Sequence, residues 1–297
     1  DIYTCSASAP AASLDLGAQH YQGVLRSAFS MRPLDAAISH VITPVVPKPD
    51  AQAVSKLLAA YYRAQAEDYD RLDRADARRR AYTQGINVFI ADQLMALNQL
   101  QVVSRVLDVG CGTGRRAMEI KELSGLGYAI EGTDLSPEMA AIAAKRGVLI
   151  HDRFWDGLQD VGRLDAVTFL YAFSHLPTRA KRLNALVHLK SVLRPGGMLF
   201  VDVFNREDPH EWGPKLEEDF GAWFLGEQGY DPGDVFYSRV GTTELAFLHY
   251  TDVEGMTKLL HLAGFDEVEC MRIGYAHKPG QEVEEGGSLM FYARNPE

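Results

Sequence analysis

The sequence predicts an α/β fold: a doubly wound sheet of mostly parallel strands, covered by helices on both faces, with a helical N-terminal cap before it and an inserted lid. Three observations carry that expectation. From residue 101 onward, short near-continuous apolar runs alternate with helical stretches, which is the pattern of a parallel sheet buried on both sides. The first of those runs ends in a glycine-rich turn that opens a helix. The chain has 297 residues, 46% hydrophobic and 24% charged, an ordinary globular composition and enough to bury a full core without staples.

Taken in order, residues 1–50 read as an arm or linker, with three prolines between 44 and 49 that keep the backbone extended. Residues 51–100 read as a helical cap. Val54, Leu57, Leu58, Tyr61 and Tyr62 recur at three-to-four spacing, and Val88, Ile90, Leu94 and Leu97 continue an amphipathic pattern. Residues 101–297 form the main α/β body. Strand candidates lie at 102–109, 128–133, 148–151, 164–170 and 198–204, with a helix through Leu183, Leu186 and Leu189. A late helix over 252–263 stops at Gly264, and 267–273 and 288–293 are closing strands suited to an antiparallel edge. Residues 205–243, rich in Gly, Pro, acids and aromatics, interrupt this rhythm. They read as a lid over the end of the sheet where ligands bind.

Charge and cysteine content exclude several classes of function. Lys plus Arg total 30 against 40 Asp plus Glu, a net charge of -10, which argues against a nucleic-acid partner. No apolar stretch reaches the roughly 18 residues that a membrane span needs, and the start lacks a basic region followed by an apolar one. The expectation is a soluble cytoplasmic protein, with homodimerisation left open. A first residue that is Asp rather than Met reads as a chain that is trimmed, processed or part of a longer product. Cys5, Cys111 and Cys270 form no CxxC, and no His/Cys cluster has ligand spacing, so neither a disulfide framework nor a metal site is expected.

The chemistry concentrates at Val106-Leu107-Asp108-Val109-Gly110-Cys111-Gly112-Thr113-Gly114. A strand runs into three alternate glycines and then into a helix. Gly110 and Gly112 allow backbone to bend and approach a ligand with no Cβ in the way, and the helix N-terminus behind them presents unpaired N–H groups. Asp134, twenty residues past Gly114, can accept both hydroxyls of a ribose, or can cap the helix that follows. Asp108 places a charge inside an apolar strand, which is costly unless it is bonded. Asp152, trailed by Phe154 and Trp155, puts an acceptor and aromatic faces where a purine fits; ordinary packing is the alternative for each ring.

These residues resemble motif I of the class I S-adenosylmethionine-dependent methyltransferases. Residues 132–139 (Gly-Thr-Asp-Leu-Ser-Pro-Glu-Met) resemble that family's ribose-binding turn. Leu193-Arg194-Pro195-Gly196-Gly197 resembles its turn before the fifth strand, and Leu262-Ala263-Gly264-Phe265 its approach to the sixth. The resemblance covers about residues 100–295 and implies a Rossmann-like seven-stranded sheet with an antiparallel last strand. It implies that Asp108, Gly110, Gly112 and Gly114 surround the methionine part of S-adenosyl-L-methionine. Asp134 would hold the ribose, Leu135 and Met139 of the same turn would bind the cofactor beside it, and Asp152 and Phe154 would meet the adenine. Nicotinamide-binding proteins also place an acid beyond their glycines, but their GxGxxG is absent here.

His175, in Tyr171-Ala172-Phe173-Ser174-His175-Leu176 after the fourth strand, is the candidate acid/base or acceptor-orienting residue, and Tyr171 lines the same pocket or packs. A His that merely bonds backbone at a helix start is the alternative. The lid offers Trp212, Trp223 and Tyr237 as acceptor contacts amid an excess of acids. That composition points to a small-molecule acceptor bearing an amine, with transfer to N preferred over O. Tyr69 of the cap is expected at the cofactor, whereas helical spacing assigns Tyr61 and Tyr62 to packing. There is no Asn-Pro-Pro-Tyr of exocyclic base-amine methylation and no Pro-Cys nucleophile. The rival readings are an RNA-modifying methyltransferase, a non-catalytic cofactor-binding protein and a tethered domain of a larger synthase.

Overall fold

The computed structural model describes residues 40–43, 45–152, 158, 161–210, 221, 226, 228–239 and 242–296. Expectations for residues 1–39, for Phe154 and Trp155, and for Trp212 and Trp223 therefore lie outside the described residues.

The elements follow one another as β1 (His40–Ile42), α1 (Ala51–Gln65), α2 (Tyr69–Ala75), α3 (Ala77–Leu100), β2 (Arg105–Val109), α4 (Arg115–Ser124), β3 (Ala129–Thr133) and α5 (Pro137–Lys145). Then come β4 (Leu149–Ile150), β5 (Leu164–Phe169), a 3-10 turn (Phe173–His175), α6 (Arg179–Val192), β6 (Leu193–Asn205), β7 (Asp234–Arg239), β8 (Ala246–Thr251), α7 (Val253–Leu262), β9 (Glu267–Ile273) and β10 (Ser288–Arg294).

The main sheet runs β4-β3-β2-β5-β6-β10-β9. The first five strands are parallel, β10 lies antiparallel to β6, and β9 pairs antiparallel with β10. This is the expected seven-stranded sheet with an antiparallel last strand. Alternation along each strand divides the core between two faces. Leu107, Val167, Phe169 and Val201 pack under α6 and α7, and Val106, Ala166, Phe200 and Met290 pack under α3 and α4. The helices start where polar side chains satisfy free N–H groups. Asp50 caps α1, Asp76 caps α3, Thr178 caps α6 and Asp252 caps α7. Gly264, at φ +91°, follows the end of α7 as the sequence predicts.

A second, smaller sheet stands over the carboxyl ends of the main one. β8 joins the last two residues of β6, Phe204 and Asn205, and continues antiparallel through β7 to β1. Its core of Phe236, Phe247 and Tyr237 packs on Val54, Leu58 and Tyr61 of α1. The 205–243 insertion thus supplies β7 as a paired strand, and the end of the N-terminal arm pairs with it. α1 and α2 close the same side.

Candidate functional site

The chain order reverses between β2 and β5, and in an open α/β sheet such a switch point leaves a crevice. A cavity of about 310 Å³ opens there, between the turn after β2, the turn after β5 and the cap helices. Gly110 and Gly112 form its floor. The N–H groups of Gly110 and Cys111 both donate to the Thr133 carbonyl, at 2.8 and 2.9 Å, tying the turn to the end of β3. Gly110 (φ +70°) sits so close to the β5 turn that a Cβ there would stand 2.4 Å from Ala172 Cβ. Gly112 (φ +54°) faces open space. Gly114 is not on the cavity wall; a Cβ there would meet Val148 and Ala143, so its bareness serves packing between α4 and α5.

Asp134 stands at the rim of β3 and lines the cavity. Its Oδ2 accepts from the Gly112 N–H and its Oδ1 from the Ser136 N–H, both at 2.8 Å. Burial pushes its carboxyl up to about 6, against the lowering pull of these two hydrogen bonds. The capping role falls to Ser136, whose Oγ accepts from the Met139 N–H. Asp108 is likewise buried on the wall, bonded by Thr168 Oγ1 at 2.7 Å, and burial raises its carboxyl to about 6. Leu135 and Met139 line the cavity beside Asp134, while Asp152 is exposed and stands away from the wall.

The far end of the cavity is built from tyrosines and His175. Tyr171 takes φ +57° while its N–H donates to Asp202 Oδ1. Two guanidinium groups stand over its ring, Arg116 at 4.5 Å and Arg79 at 5.0 Å from the centroid. Burial holds its hydroxyl well above the ordinary tyrosine value, so Tyr171 shapes the wall and keeps its proton. His175 Nδ1 faces the Phe247 carbonyl, which can only accept, so Nδ1 carries the proton. Nε2 is then the free acceptor, and Tyr62 Oη stands 2.6 Å from it and donates to it. Burial depresses the imidazole to about 4, so it is neutral at physiological pH. Tyr237 is hydrogen-bonded to Tyr62 and stands behind it, off the cavity wall.

The cap closes the cavity through charge. Tyr69 and Asp73 of α2 reach the wall. Asp73 pairs with Arg115 and Arg79, while Asp70 accepts from Thr113 Oγ1 at 2.7 Å and pairs with Arg146. The sequence reading missed Tyr62, Asp73 and Arg116. Tyr61 and Tyr62 are adjacent on α1 and so point about 100° apart. Tyr61 is buried in the core and Tyr62 faces the cavity, a distinction that periodicity draws only once the helix is docked. Among the described lid acids, Asp231 pairs with Arg182, Asp234 with Lys48 and His249, and Asp208 accepts from the His210 N–H. None of the three lines the cavity.

A family described as a methyltransferase domain matches residues 75–269 of the chain. The chain belongs to that family, and its fold is that of the class I S-adenosylmethionine-dependent methyltransferases. Among curated relatives, the ubiquinone biosynthesis O-methyltransferase of Xanthomonas axonopodis is 32% identical over 111 residues, 35% of this chain and 44% of that protein. That of Xylella fastidiosa is also 32% identical over 111 residues, 35% of this chain and 43% of that one. The match thus spans less than half the length of these relatives. Among solved structures, the 1,6-didemethyltoxoflavin-N1-methyltransferase of Burkholderia thailandensis, with 1,6-didemethyltoxoflavin and S-adenosylhomocysteine bound, aligns with a TM-score of 0.58. It is 19% identical and covers 90% of this chain and 99% of that one. An S-adenosylmethionine-dependent methyltransferase of Clostridium acetobutylicum aligns at 0.54, 15% identical, over 80% and 99%.

S-adenosylmethionine is the cofactor of this fold, and the residues of the cavity fit it. Gly112 leaves a cradle that any Cβ would narrow. Arg116 lines the cavity with Nη1 and Nη2 buried and without a hydrogen-bond partner, its nearest acid being Asp202 at 4.0 Å. A carboxylate is what such a guanidinium lacks. Among the described residues no group of His, Cys, Asp or Glu could hold a metal ion, and no helix is long and apolar enough to cross a membrane.

Proposed function

We propose that this chain transfers a methyl group from S-adenosylmethionine to a nitrogen or oxygen of a small-molecule acceptor, and that His175, through Tyr62, receives the proton the acceptor gives up. The observation that carries this reading is a neutral imidazole at the end of the cavity remote from Asp134, with Nε2 unprotonated and bonded by a cavity-facing tyrosine hydroxyl.

When bound, the cofactor supplies an electrophilic methyl group. Asp134 would hold the ribose, and Asp108 and Arg116 the amino and carboxylate groups of the methionine part. Gly110 and Gly112 would let the backbone approach. Tyr69 and the cap close the cavity against water, and alignment of donor and acceptor in such an enclosure supplies roughly 7 kcal/mol or more of the barrier reduction. As the acceptor's N–H or O–H bond breaks, its proton passes to Tyr62 Oη while the Tyr62 proton moves to His175 Nε2. The low basicity of His175 keeps a second cation out of the cavity beside the sulfonium. It accepts the proton as that positive charge is discharged, and Phe247's carbonyl steadies the resulting imidazolium. The similar N-methyltransferase is named for a small-molecule acceptor, 1,6-didemethyltoxoflavin, and the similar O-methyltransferases for ubiquinone biosynthesis. An amine-bearing acceptor fits the lid's acidic composition, although three of its described acids, Asp208, Asp231 and Asp234, serve internal partners and a fourth, Glu207, is exposed.

The test is incubation of the full chain with S-adenosylmethionine and fractionated metabolite extract, read by mass spectrometry for products heavier by one methyl. A methylated product formed by the wild type and not by His175→Ala supports the reading. Stoichiometric S-adenosylhomocysteine binding with no methylated product in any fraction would leave a non-catalytic binder and overturn it.

A further inference from the structure

We propose that Lys48 is a positioning residue of this site: its ammonium group, buried between Asp234 and the carbonyl of Pro177, fixes the turn that presents His175 to the cavity. This inference rests on the catalytic reading of His175 given above.

Lys48 comes from the arm that precedes α1, far in sequence from everything it touches. Its Nζ donates to the Pro177 carbonyl at 2.8 Å and pairs with Asp234. The Lys48 side chain is 6% exposed and that of Asp234 0%. An ammonium taken so far out of water is retained only where charge and hydrogen bonds compensate it, and here one compensating group, the Pro177 carbonyl, belongs to a residue of the cavity wall, while the other, Asp234, belongs to the small sheet behind it. Pro177 lies on the cavity wall, two residues beyond His175 in the same turn. Asp234 opens β7 and also binds His249 of β8 at 2.7 Å. The ammonium stands 5.1 Å from the ring centroid of Phe247, the residue whose carbonyl receives His175 Nδ1–H. One cation therefore joins the loop that carries His175 to the strand that orients its imidazole.

The arm is fastened so that Lys48 can do this. Thr43 N–H donates to Phe236 O at 3.0 Å, Lys48 N–H to Gln228 O at 3.3 Å, and the Tyr230 hydroxyl to the Val45 carbonyl. β1 extends the small sheet alongside β7. Lys48 does not line the cavity, so it acts through Pro177 and Phe247 and not on the acceptor. Methyl transfer needs the imidazole's lone pair held in one direction, and a salt bridge at the base of the turn restrains the turn in that way.

The test uses the full chain labelled with ¹⁵N-histidine, with His175 assigned by the His175→Gln variant. The expected wild-type spectrum is a neutral His175 with a slowly exchanging Nδ1–H. In Lys48→Met the His175 ring signals are expected to leave that pattern, moving toward mixed tautomers, while S-adenosylhomocysteine affinity by calorimetry stays within about threefold. Lys48→Arg, which keeps the cation, is expected to restore the wild-type pattern. The proposal is overturned if His175 keeps its single tautomer in Lys48→Met, or if cofactor affinity falls by about tenfold or more alongside the spectral change. Should Lys48→Met not fold, the double variant Lys48→Met/Asp234→Asn, which removes both buried charges, is read against the same two outcomes. A wild-type chain that binds no S-adenosylhomocysteine would refute the methyltransferase reading instead, and the tautomer comparison would still decide the role of Lys48.

Discussion

At Asp134 two physical effects oppose each other. Burial favours the protonated acid, while the N–H groups of Gly112 and Ser136 favour the carboxylate, and burial prevails to place the group at about 6. Its native value lies above the ordinary 3.8. The folded state therefore binds this proton more tightly than the unfolded chain, and the apo protein loses stability as pH rises from about 4 to about 6. A ribose whose hydroxyls donate to the carboxylate requires the ionised form. Cofactor affinity is therefore expected to weaken below about pH 6, by up to about tenfold per pH unit, with a proton released on binding. Calorimetry with S-adenosylhomocysteine between pH 5 and 7.5, in buffers of different ionisation enthalpy, checks both; a flat affinity refutes the ribose assignment. Asp134→Ala is expected to weaken binding by about tenfold or more, through loss of the carboxylate and slackening of the Gly112 turn. At His175 the expectation is the opposite split. His175→Ala lowers turnover by about 100-fold or more and Tyr62→Phe by about tenfold. Neither changes cofactor affinity beyond about threefold in the same calorimetric assay. Because burial holds the imidazole at about 4, turnover at saturating cofactor should show no acid limb at 6.5; a limb there would mean that the ring is solvated.

The glycine turn shows how one element separates folding from binding. At Gly110 a Cβ would run into Ala172 of the β5 turn, whereas at Gly112 nothing lies within 4 Å, and both residues have positive φ. Gly110→Ala is therefore expected to lower the melting temperature by several degrees and to disturb the sheet rim. Gly112→Ala carries only the left-handed backbone penalty of roughly 1–2 kcal/mol, yet places a methyl group in open space that, on the function proposed above, the cofactor would fill. Loss of S-adenosylhomocysteine binding with a smaller fall in melting temperature than that of Gly110→Ala is the expected result for Gly112→Ala. Equal losses of stability in both variants would contradict it. Elements of this kind were legible in the sequence because their causes are local. The glycines follow a strand, β9 occupies its expected residues, and apolar runs mark the parallel strands. The small sheet was not legible. β7 is Asp-Val-Phe-Tyr-Ser-Arg, buried throughout yet polar at both ends, and its partner β1 lies at the other end of the chain. Neither alternation nor a hairpin signal marks such a strand. Tyr62 and Arg116 were missed for a related reason: each sits on an amphipathic helix whose cavity-facing side is set by docking and not by the helix's own pattern.

At the scale of the whole molecule, two layers line one cavity, the carboxyl ends of the main sheet and the helical cap, and the small sheet with the arm packs against them from behind. The main sheet's core is apolar and continuous on both faces, whereas α2 is held over the cavity mainly by ion pairs, Asp70 with Arg146 and Asp73 with Arg115 and Arg79. Few buried apolar groups lie on α2, whose buried residue is Asp73, so this helix belongs among the segments that open most readily. On the function proposed above, a cofactor seated between Tyr69 and the glycine turn would bridge cap and sheet and pull their equilibrium toward the closed form. Hydrogen exchange of amides in α2 is accordingly expected to slow by about tenfold or more at saturating S-adenosylhomocysteine, while amides of β2, β5 and β6 change little. Raising salt from about 0.05 to 0.5 M, which weakens the partly exposed Asp70–Arg146 pair, should speed α2 exchange in the apo protein and increase the cofactor's dissociation rate. If ligand protects the central strands as strongly as α2, the chain opens only by global unfolding and the cap is no gate. If α2 exchange is indifferent to both ligand and salt, its ion pairs are not what holds the cavity closed.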